Sequence, residues 1–165
     1  MIQHAQTDHM TGFLNQTAIK SAVDDWLQKN PAKLYAFYIF DIDDFKQAND
    51  KFGHAFGDTV IRRFSERIRL CVDGDNGLLG RIGGDEFVVL LPAPDYEWAK
   101  KKASLLNETL DYDCVSGEAC WHMSASIGFC FAPKDGTSFH ELYRKADAAL
   151  YMSKHKGKGL NSMFC

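Results

Sequence analysis

The chain has 165 residues, 45% of them hydrophobic, and a formal charge of −3, which together predict one domain with a sizeable buried core. The slightly acidic balance offers no basic surface for a nucleic-acid partner. The longest apolar run, Leu34 to Phe40, is much shorter than the roughly 20 residues of a membrane helix. The five cysteines show no C-x-x-C spacing, and no apolar leader begins the chain, so we expect buried thiols in a reducing, cytoplasmic setting without direct membrane contact.

Hydrophobic periodicity predicts helices that alternate with strands in the first half of the chain. Ala18 to Leu27 has helical spacing. Leu34 to Ile42 is apolar on both faces, as is typical of a central strand that is covered on both sides. A second helix is predicted from about Gly57 to Cys71, where apolar residues again recur at helical intervals.

The second half of the chain begins with a predicted hairpin. Its strands are Leu78 to Ile82 and Phe87 to Leu91, and the dipeptide Gly83-Gly84 suits the positive φ angles of a tight turn. The remaining predicted elements are a helix after Pro94, a strand from Met123 to Phe131, and a helix from Phe139 to Ser153 that Gly157 ends. Helices that alternate with strands, together with one adjacent antiparallel pair, predict an α/β sandwich around a mixed sheet.

Acidic side chains follow the first predicted strand where it leaves the core. Asp41, Asp43 and Asp44 occur within four residues. Alternation along an extended chain places Asp41 and Asp43 on one side and Ile42 on the other. A carboxylate in this position is costly unless it is paired or binds a metal, which favours a ligand role for Asp41. Alternatively, Asp43 or Asp44 caps the next helix, and for Asp44 we favour that structural role.

The hairpin turn carries a second acidic pair, Asp85 and Glu86, directly after the two glycines. A hairpin loop that happens to be acidic is the simplest interpretation. If the hairpin lies beside the first strand, however, Asp85 faces Asp41, and a cation would relieve the repulsion between the carboxylates. Oxygen ligands suit a hard cation such as Mg²⁺, which keeps waters and shares substrate phosphates, and Mn²⁺ is an alternative.

Five motifs, in order along the chain, resemble those of one protein family. They are DHMTGFLNQ (8–16), DIDDFKQANDKFGHAFGD (41–58), RIGGDEFVVLL (81–91), SIGFCFAP (126–133) and ADAALYMSKHKGKGLN (146–161). Together they resemble the GGDEF family of diguanylate cyclases, which join two GTP molecules into cyclic di-GMP and release pyrophosphate. The resemblance implies an α/β (α+β) fold, with a mixed central five-stranded sheet surrounded by helices, like the palm of polymerases and nucleotide cyclases.

The resemblance also implies which residues bind metal and take part in catalysis. Asp41 and Asp85 match the Mg²⁺ carboxylates, and the backbone carbonyl of Ile42 matches a further ligand. Asp85 and Glu86 form the acidic pair of the signature motif. Glu86 is implied as the base for the 3′-hydroxyl or as a further metal contact.

The other implied residues bind GTP. Asn49 and Asp58 match the positions that hydrogen-bond guanine, and His54 matches a third position near the substrate. A carboxylate can accept hydrogen bonds from the base N–H groups, and an amide can both donate and accept. The implied phosphate contacts are the backbone N–H groups of Asp44 and Phe45 and the side chains of Lys46, Lys154 and Lys158.

Each of these residues also has an ordinary structural interpretation. Asn49 could stand at a helix end, and a structural role explains His54 equally well. Lys154 and Lys158 suit the negative end of a helix dipole. The joint occurrence of all the motifs, in order, is what favours the functional interpretation.

The implied reaction needs two copies of the domain, because each holds one GTP and each 3′-hydroxyl attacks the other nucleotide. We therefore expect a homodimer with GTP as its substrate. We also expect residues 1–165 to be a single domain that forms the C-terminal catalytic part of a longer protein, whose membrane status the sequence leaves open. One alternative is a catalytically silent GGDEF module that binds GTP or cyclic di-GMP. Another is a different palm-type nucleotidyl transferase, against which Asn49 and Asp58 argue.

One family feature is missing from the sequence. Many family members are inhibited by their product at an R-x-x-D site five residues before the signature motif. Here Gly74 stands in place of the arginine and Gly77 in place of the acid. Without the planar guanidinium that would bind a phosphate or a guanine edge, we expect no feedback inhibition at this site.

Overall fold

Helices and strands alternate along residues 6–165, the part of the chain that the computed structural model describes. In chain order the elements are α1 (Gln16–Lys29), β1 (Tyr35–Ile42), α2 (Phe45–Phe52), α3 (His54–Cys71), β2 (Leu78–Arg81), β3 (Glu86–Pro92), α4 (Tyr96–Thr109), β4 (Tyr112–Ser116), β5 (Ala119–Met123), β6 (Ala125–Ala132), α5 (Phe139–Lys156) and β7 (Asn161–Met163). Within these residues, none of the helices is both long enough and apolar enough to cross a membrane.

Five of the strands form one mixed sheet in the order β2-β3-β1-β6-β7. The central strand β1 is antiparallel to β3 and β6, whereas β6 and β7 are parallel. The register pairs Tyr35 with Pro92 at one end of β1 and Asp41 with Glu86 at the other. The predicted fold class, a mixed five-stranded sheet with helices around it, is therefore confirmed.

The sheet has a hydrophobic core on each face. Side chains alternate along β1, so that Phe37 and Ile39 face α1 and α5, whereas Tyr38 and Phe40 face α2, α3 and α4. All four are fully buried. Because burying one such side chain contributes about 2 kcal/mol, the strand is held firmly from both sides. The acidic residues at its end therefore leave a rigid element.

Helix α5 lies very close to β6 because Gly128 has no side chain. A Cβ atom placed on Gly128 would lie 2.2 Å from the carbonyl oxygen of Ala146 and 2.2 Å from the backbone nitrogen of Leu150. Nearby, the Ser153 hydroxyl donates to the carbonyl oxygen of Ile127 at 2.8 Å. The two backbones are in direct contact, which fixes α5 relative to the sheet.

The sequence-based prediction missed β4, β5 and β7. The predicted strand Met123 to Phe131 is divided at Ser124, with β5 before it and β6 after it. β4 and β5 form a separate two-stranded ladder, and Gly117 in the turn between them has a φ of 60°. Half of the side chains of this ladder are exposed, so its hydrophobic signal is weak.

The turn at Gly83 and Gly84 is built differently from the prediction. Neither glycine has a positive φ, so the expectation that they supply such angles was wrong. Arg81 instead binds the turn: its Nε donates to the carbonyl oxygen of Gly83 at 3.1 Å, and its Nη2 donates to that of Gly84 at 2.7 Å. Nη1 of Arg81 also pairs with Asp8 at 3.2 Å. Among the described atoms, none lies within 4 Å of a Cβ placed on either glycine, so the turn leaves open space above it.

All five cysteines are free thiols, but they are not all buried. Cys114 and Cys130 lie in the core, and Cys71 is half-buried. Cys120, on β5, and Cys165, at the end of the chain, are exposed. The expectation of buried thiols was therefore wrong for these two residues, because the hairpin that carries Cys120 was not foreseen.

Candidate active site

The strand pairing brings the two acidic segments of the sequence together. Asp41, near the end of β1, lies opposite Glu86, the first residue of β3, and Asp85 precedes Glu86 in the turn. The backbone N–H of Ile42 donates to the carbonyl oxygen of Asp85 at 3.3 Å. The partly buried carboxyl group of Asp85 lies near that of Asp41. The required adjacency is therefore present, whereas the role of these carboxylates as metal ligands stays a prediction.

This end of the sheet disfavours negative charge on two of the carboxyl groups. Partial burial and the neighbouring Asp41 raise the pKa of Asp85 to about 6. Burial also raises the pKa of Glu86; the nearby Asp41 and Asp147 add to this shift, and a hydrogen bond from Tyr143 opposes it. A cation bound between these groups would favour their ionised forms.

Two lysines from the C-terminal part of the chain face the carboxylates. Lys154, in the last turn of α5, forms an ion pair with Asp41. Lys158, in the turn after α5, places its Nζ 2.6 Å from Oδ1 of Asp44. Burial alone would lower the pKa of Lys154, but Asp41 outweighs it and raises that pKa, and Asp44 raises the pKa of Lys158. Both ammonium groups are therefore charged beside the predicted metal and phosphate positions.

Neither Asp43 nor Asp44 provides the side-chain helix cap that the sequence favoured. Asp44 stands at the N-cap position of α2 but has a φ of 56°, and its side chain makes no capping hydrogen bond. Asp43 is buried and accepts hydrogen bonds from the hydroxyls of Ser124 and Ser126, both at 2.6 Å, and from the backbone N–H of Gly159 at 2.9 Å. Asp43 thus ties the end of β1 to β6 and to the turn after α5, a role that only the tertiary structure reveals.

The two predicted guanine contacts lie where α2 packs against α3. A Cβ placed on Gly57 would lie only 1.7 Å from Oδ1 of Asn49, so the Asn49 carboxamide rests directly on the first turn of α3, next in sequence to Asp58. Oδ1 of Asn49 is buried and has no hydrogen-bond partner among the described residues. An unpaired buried acceptor costs about 1–3 kcal/mol. The guanine contacts of Asn49 and Asp58 stay predictions. His54 is exposed at the start of α3, and its substrate role stays a prediction.

The remaining predicted contacts lie on the segment that leaves β1. Ile42 is buried at the end of the strand, Phe45 begins α2 and packs against the core, and Lys46 is exposed. The first N–H groups of a helix have no acceptor within the helix and favour anions, which suits a phosphate at the start of α2. The individual roles of Ile42, Phe45 and Lys46 stay predictions.

The residues present supply part of a metal coordination shell. Within residues 6–165, no three Asp, Glu, His or Cys side chains are placed to hold a metal ion together. Asp41, on β1, and Asp85, in the turn before β3, offer two adjacent carboxylates. This oxygen donor set fits Mg²⁺ or Mn²⁺, which use few protein carboxylates and complete their shell with waters and substrate phosphates.

Sequence reasoning missed three side chains that orient the acidic turn. Tyr143, on α5, donates its hydroxyl to Oε1 of Glu86. Burial and Glu86 raise the pKa of Tyr143, so its phenol stays protonated and can donate. Arg81 and Asp8 hold the turn from the other side. The sequence could have indicated Tyr143, because it places this tyrosine on the apolar face of a predicted helix and a buried tyrosine hydroxyl usually has a hydrogen-bond partner.

The fold and these side chains define an α+β domain whose acidic centre lies at the adjoining ends of two antiparallel strands. The family model described as "Diguanylate cyclase, GGDEF domain" matches residues 5–160. The chain belongs to the GGDEF family, as the motifs in its sequence indicated.

Three known proteins illustrate this relationship. The GGDEF domain of PA1120 (TpbB or YfiN) from Pseudomonas aeruginosa has a TM-score of 0.90 and 28% identity, and the match covers 96% of this chain and 94% of that one. The probable diguanylate cyclase DgcT of Escherichia coli (strain K12) is 36% identical over 149 residues, which is 88% of this chain and 31% of DgcT. The cyclic di-GMP phosphodiesterase PdeR of the same organism is 32% identical over 161 residues, which is 98% of this chain but 24% of PdeR. The chain thus spans less than a third of either curated relative.

Proposed function

We propose that this domain is a diguanylate cyclase, which joins two GTP molecules into cyclic di-GMP, releases pyrophosphate, depends on Mg²⁺ and works as a homodimer. The observation that carries the proposal is the convergence of Asp41, Asp85 and Glu86 at adjoining strand ends, with the ammonium group of Lys154 beside them. Membership of the GGDEF family gives this acidic centre its chemical interpretation.

In this proposal the acidic centre and the lysines divide the work of phosphoryl transfer. Asp41 and Asp85 hold the divalent ion, which when bound supplies positive charge that favours ionisation of the attacking hydroxyl and offsets charge on the phosphate. Glu86 accepts the proton of the 3′-hydroxyl. A bond forms between O3′ and the α-phosphorus, and the bond from that phosphorus to the pyrophosphate oxygen breaks. Lys154 and Lys158 balance the charge of the triphosphate.

The guanine is bound by Asn49 and Asp58 in this proposal. The Asn49 carboxamide can both donate and accept a hydrogen bond, and guanine offers N–H and carbonyl groups to match. A carboxylate at Asp58 accepts from the base N–H groups, which adenine does not present in the same pattern. In this proposal the contacts of Asn49 and Asp58 therefore favour GTP over ATP.

The homodimer follows from the chemistry. One domain binds one GTP, and the attack requires the α-phosphorus of a second GTP in a facing domain. Specific activity of the domain should therefore rise with protein concentration until the dimer saturates. Specific activity that is constant over a wide concentration range, in a protein shown by sedimentation to be monomeric, would contradict the facing-dimer arrangement.

The test of the function is incubation with GTP and MgCl₂, followed by chromatography of the products. Cyclic di-GMP and pyrophosphate in a one-to-two ratio are expected, and ATP should give no cyclic product. Chelation of the divalent ion should stop the reaction, and MnCl₂ should restore it. A different nucleotide product, or turnover that is indifferent to chelation, would overturn the proposal.

A second candidate is a catalytically silent module that binds GTP or cyclic di-GMP. The likeness to PdeR favours it, because 98% of this chain matches part of a protein whose name gives phosphodiesterase activity. The intact acidic centre argues for the cyclase. Calorimetric binding of GTP together with the absence of any product, at protein concentrations that give a dimer, would favour the silent module.

A further inference from the structure

Tyr143 contacts the predicted reacting carboxylate from an element outside the signature motif. Its hydroxyl donates to Oε1 of Glu86. Its ring stacks on Phe139, with centroids 5.7 Å apart and planes 25° apart, and Phe139 is buried. Phe139 in turn packs edge-to-face against Phe37 of β1 at 5.6 Å. The phenol that reaches Glu86 is therefore anchored in the core.

The helix that carries Tyr143 has little freedom to move. Its backbone rests on β6 at Gly128, where even a methyl group has no room. The same helix carries Lys154, which pairs with Asp41. Helix α5 therefore contacts both strands of the acidic centre, with Tyr143 on Glu86 and Lys154 on Asp41.

We propose that Tyr143 is a positioning residue for Glu86. By binding Oε1, the phenol fixes the rotamer of the carboxylate and leaves Oε2 as the oxygen that receives the proton of the 3′-hydroxyl. Without the hydroxyl, Glu86 can rotate among several rotamers, and its carboxylate spends less time in a productive orientation. The catalytic part of this inference rests on the proposed function, whereas the contact between Tyr143 and Glu86 can be tested without turnover.

The kinetic experiment compares Tyr143→Phe with Tyr151→Phe in the full chain. Phenylalanine keeps the stacked ring and removes only the hydroxyl. Tyr151 lies on the same helix with 61% of its surface exposed, so its variant controls for loss of a phenol from α5. For Tyr143→Phe we expect kcat to fall about tenfold, the range of one hydrogen bond to a charged group, with the KM for GTP unchanged. Tyr151→Phe should match the parent protein.

A second measurement reads the contact directly. The side-chain carboxyl carbons of glutamate are labelled with ¹³C, and the Glu86 resonance is assigned by its loss in Glu86→Gln. Tyr143→Phe should shift this resonance and leave the other glutamate resonances in place, whereas Tyr151→Phe should shift none. Thermal unfolding confirms that both variants remain folded.

The outcomes separate the two proposals. A shifted Glu86 resonance with a lower kcat and an unchanged KM supports the positioning role. An unchanged Glu86 resonance, an unchanged kcat, or a fall in kcat matched by an equal loss in Tyr151→Phe overturns it. If the parent protein forms no cyclic di-GMP, the proposed function fails, and the positioning role in that reaction fails with it. The Glu86 resonance then still decides whether the contact exists.

Discussion

The two ends of the sheet carry the same charged residue types in different arrangements. One end of the sheet carries the signature motif and is called the signature end. There Asp41 and Asp85 approach each other, and Lys154 beside them keeps 40% of its side chain exposed. At the opposite end, Asp75 forms an ion pair with Lys102, and their side chains are only 19% and 12% exposed. Crowded carboxylates with an accessible cation are typical of a binding site, whereas a half-buried ion pair such as Asp75 with Lys102 is typical of a structural contact.

The opposite end also shows why a charged residue near a cavity need not be functional. Asp75 lines a cavity of about 640 Å³ together with Trp26, Tyr35 and Pro92. Its Oδ2 lies 2.8 Å from Nζ of Lys102, outside hydrogen-bonding alignment, so the contact is an ion pair. The carboxylate is neutralised inside the fold, and it has no charge left over for a ligand.

The largest expected effect comes from making the same substitution, Asp to Asn, at each end of the sheet. Asp41→Asn should reduce cyclic di-GMP formation more than about 100-fold, because it removes a carboxylate that we propose as a metal ligand, and should leave the melting temperature nearly unchanged. Asp75→Asn should keep turnover but lower the free energy of unfolding by about 2 kcal/mol, because the half-buried Lys102 ammonium group loses its carboxylate and keeps only the carbonyl oxygen of Cys71 as a partner. Product assays and urea unfolding measure both. Near-native turnover in Asp41→Asn would contradict the assignment of the binding site to the signature end.

The substitution Gly57→Ala tests whether the packing of α2 on α3 is needed for nucleotide binding. In an ordinary helix, Gly→Ala is stabilising by up to about 1 kcal/mol, but here the methyl group would displace the Asn49 carboxamide. We expect affinity for a non-hydrolysable GTP analogue to fall about tenfold, the value of one lost hydrogen bond. Calorimetry on Gly57→Ala, Asn49→Ala and the double variant is the measurement. If Gly57→Ala still weakens binding in the Asn49→Ala background, the effect does not act through Asn49.

A structural ion pair at the signature end provides a smaller, pH-dependent effect. Burial alone would raise the pKa of Asp8, but hydrogen bonds from Thr11 and the charge of Arg81 outweigh it and lower that pKa. A lowered pKa means that the contribution to stability is present above the unfolded value near 3.9 and is lost as the pH falls through the folded value. Asp8→Asn should therefore lower the unfolding free energy by about 1 kcal/mol at pH 7 and by less near pH 3. Urea unfolding at both pH values gives the difference, and a gap that widens in acid would contradict this assignment.

The smallest expected effect is none at all, at the loop that precedes β2. Gly74 and Gly77 replace the arginine and the acid of the product site, and Asp75 is already paired with Lys102. Added cyclic di-GMP should therefore change the initial rate less than about twofold by a non-competitive route. Rates against added product, with calorimetry on the same protein, provide the measurement. Tight non-competitive inhibition that disappears on changing this loop would show that the opposite end does bind ligand.

Local pattern was enough to predict the elements that carry strong periodicity. β1 is apolar along nearly its whole length, α5 shows one continuous apolar face, and the hairpin of β2 and β3 lies between clear turn residues. These elements already place Asp41 and Asp85 at strand ends. Their adjacency needed the strand order, for which the resemblance to a family was the better guide.

Contacts between distant parts of the chain could not be predicted in the same way. The local sequence suggests a helix-capping role for Asp43, because capping is a local pattern. Its observed partners, Ser124 and Ser126, lie more than 80 residues away in the chain. Tyr143 and Glu86 are 57 residues apart, and nothing in either local sequence links them. Exposed apolar residues also limited the prediction, since Val115 on β4 and Cys120 on β5 lie on the exposed face and obscure the alternation in the sequence.

The contact at Gly128 has a practical consequence for observing this domain at work. Because α5 packs directly on the backbone of β6, the helix can move only as a rigid unit. A displacement on its inner face therefore also moves its outer face. The outer face offers Met152, which is 50% exposed, as an attachment point for a fluorescent reporter. Thiol chemistry would also label the exposed Cys120 and Cys165, so an azide-bearing residue is the better handle. Such a dye would report the alignment of the acidic centre from the solvent side, without touching it.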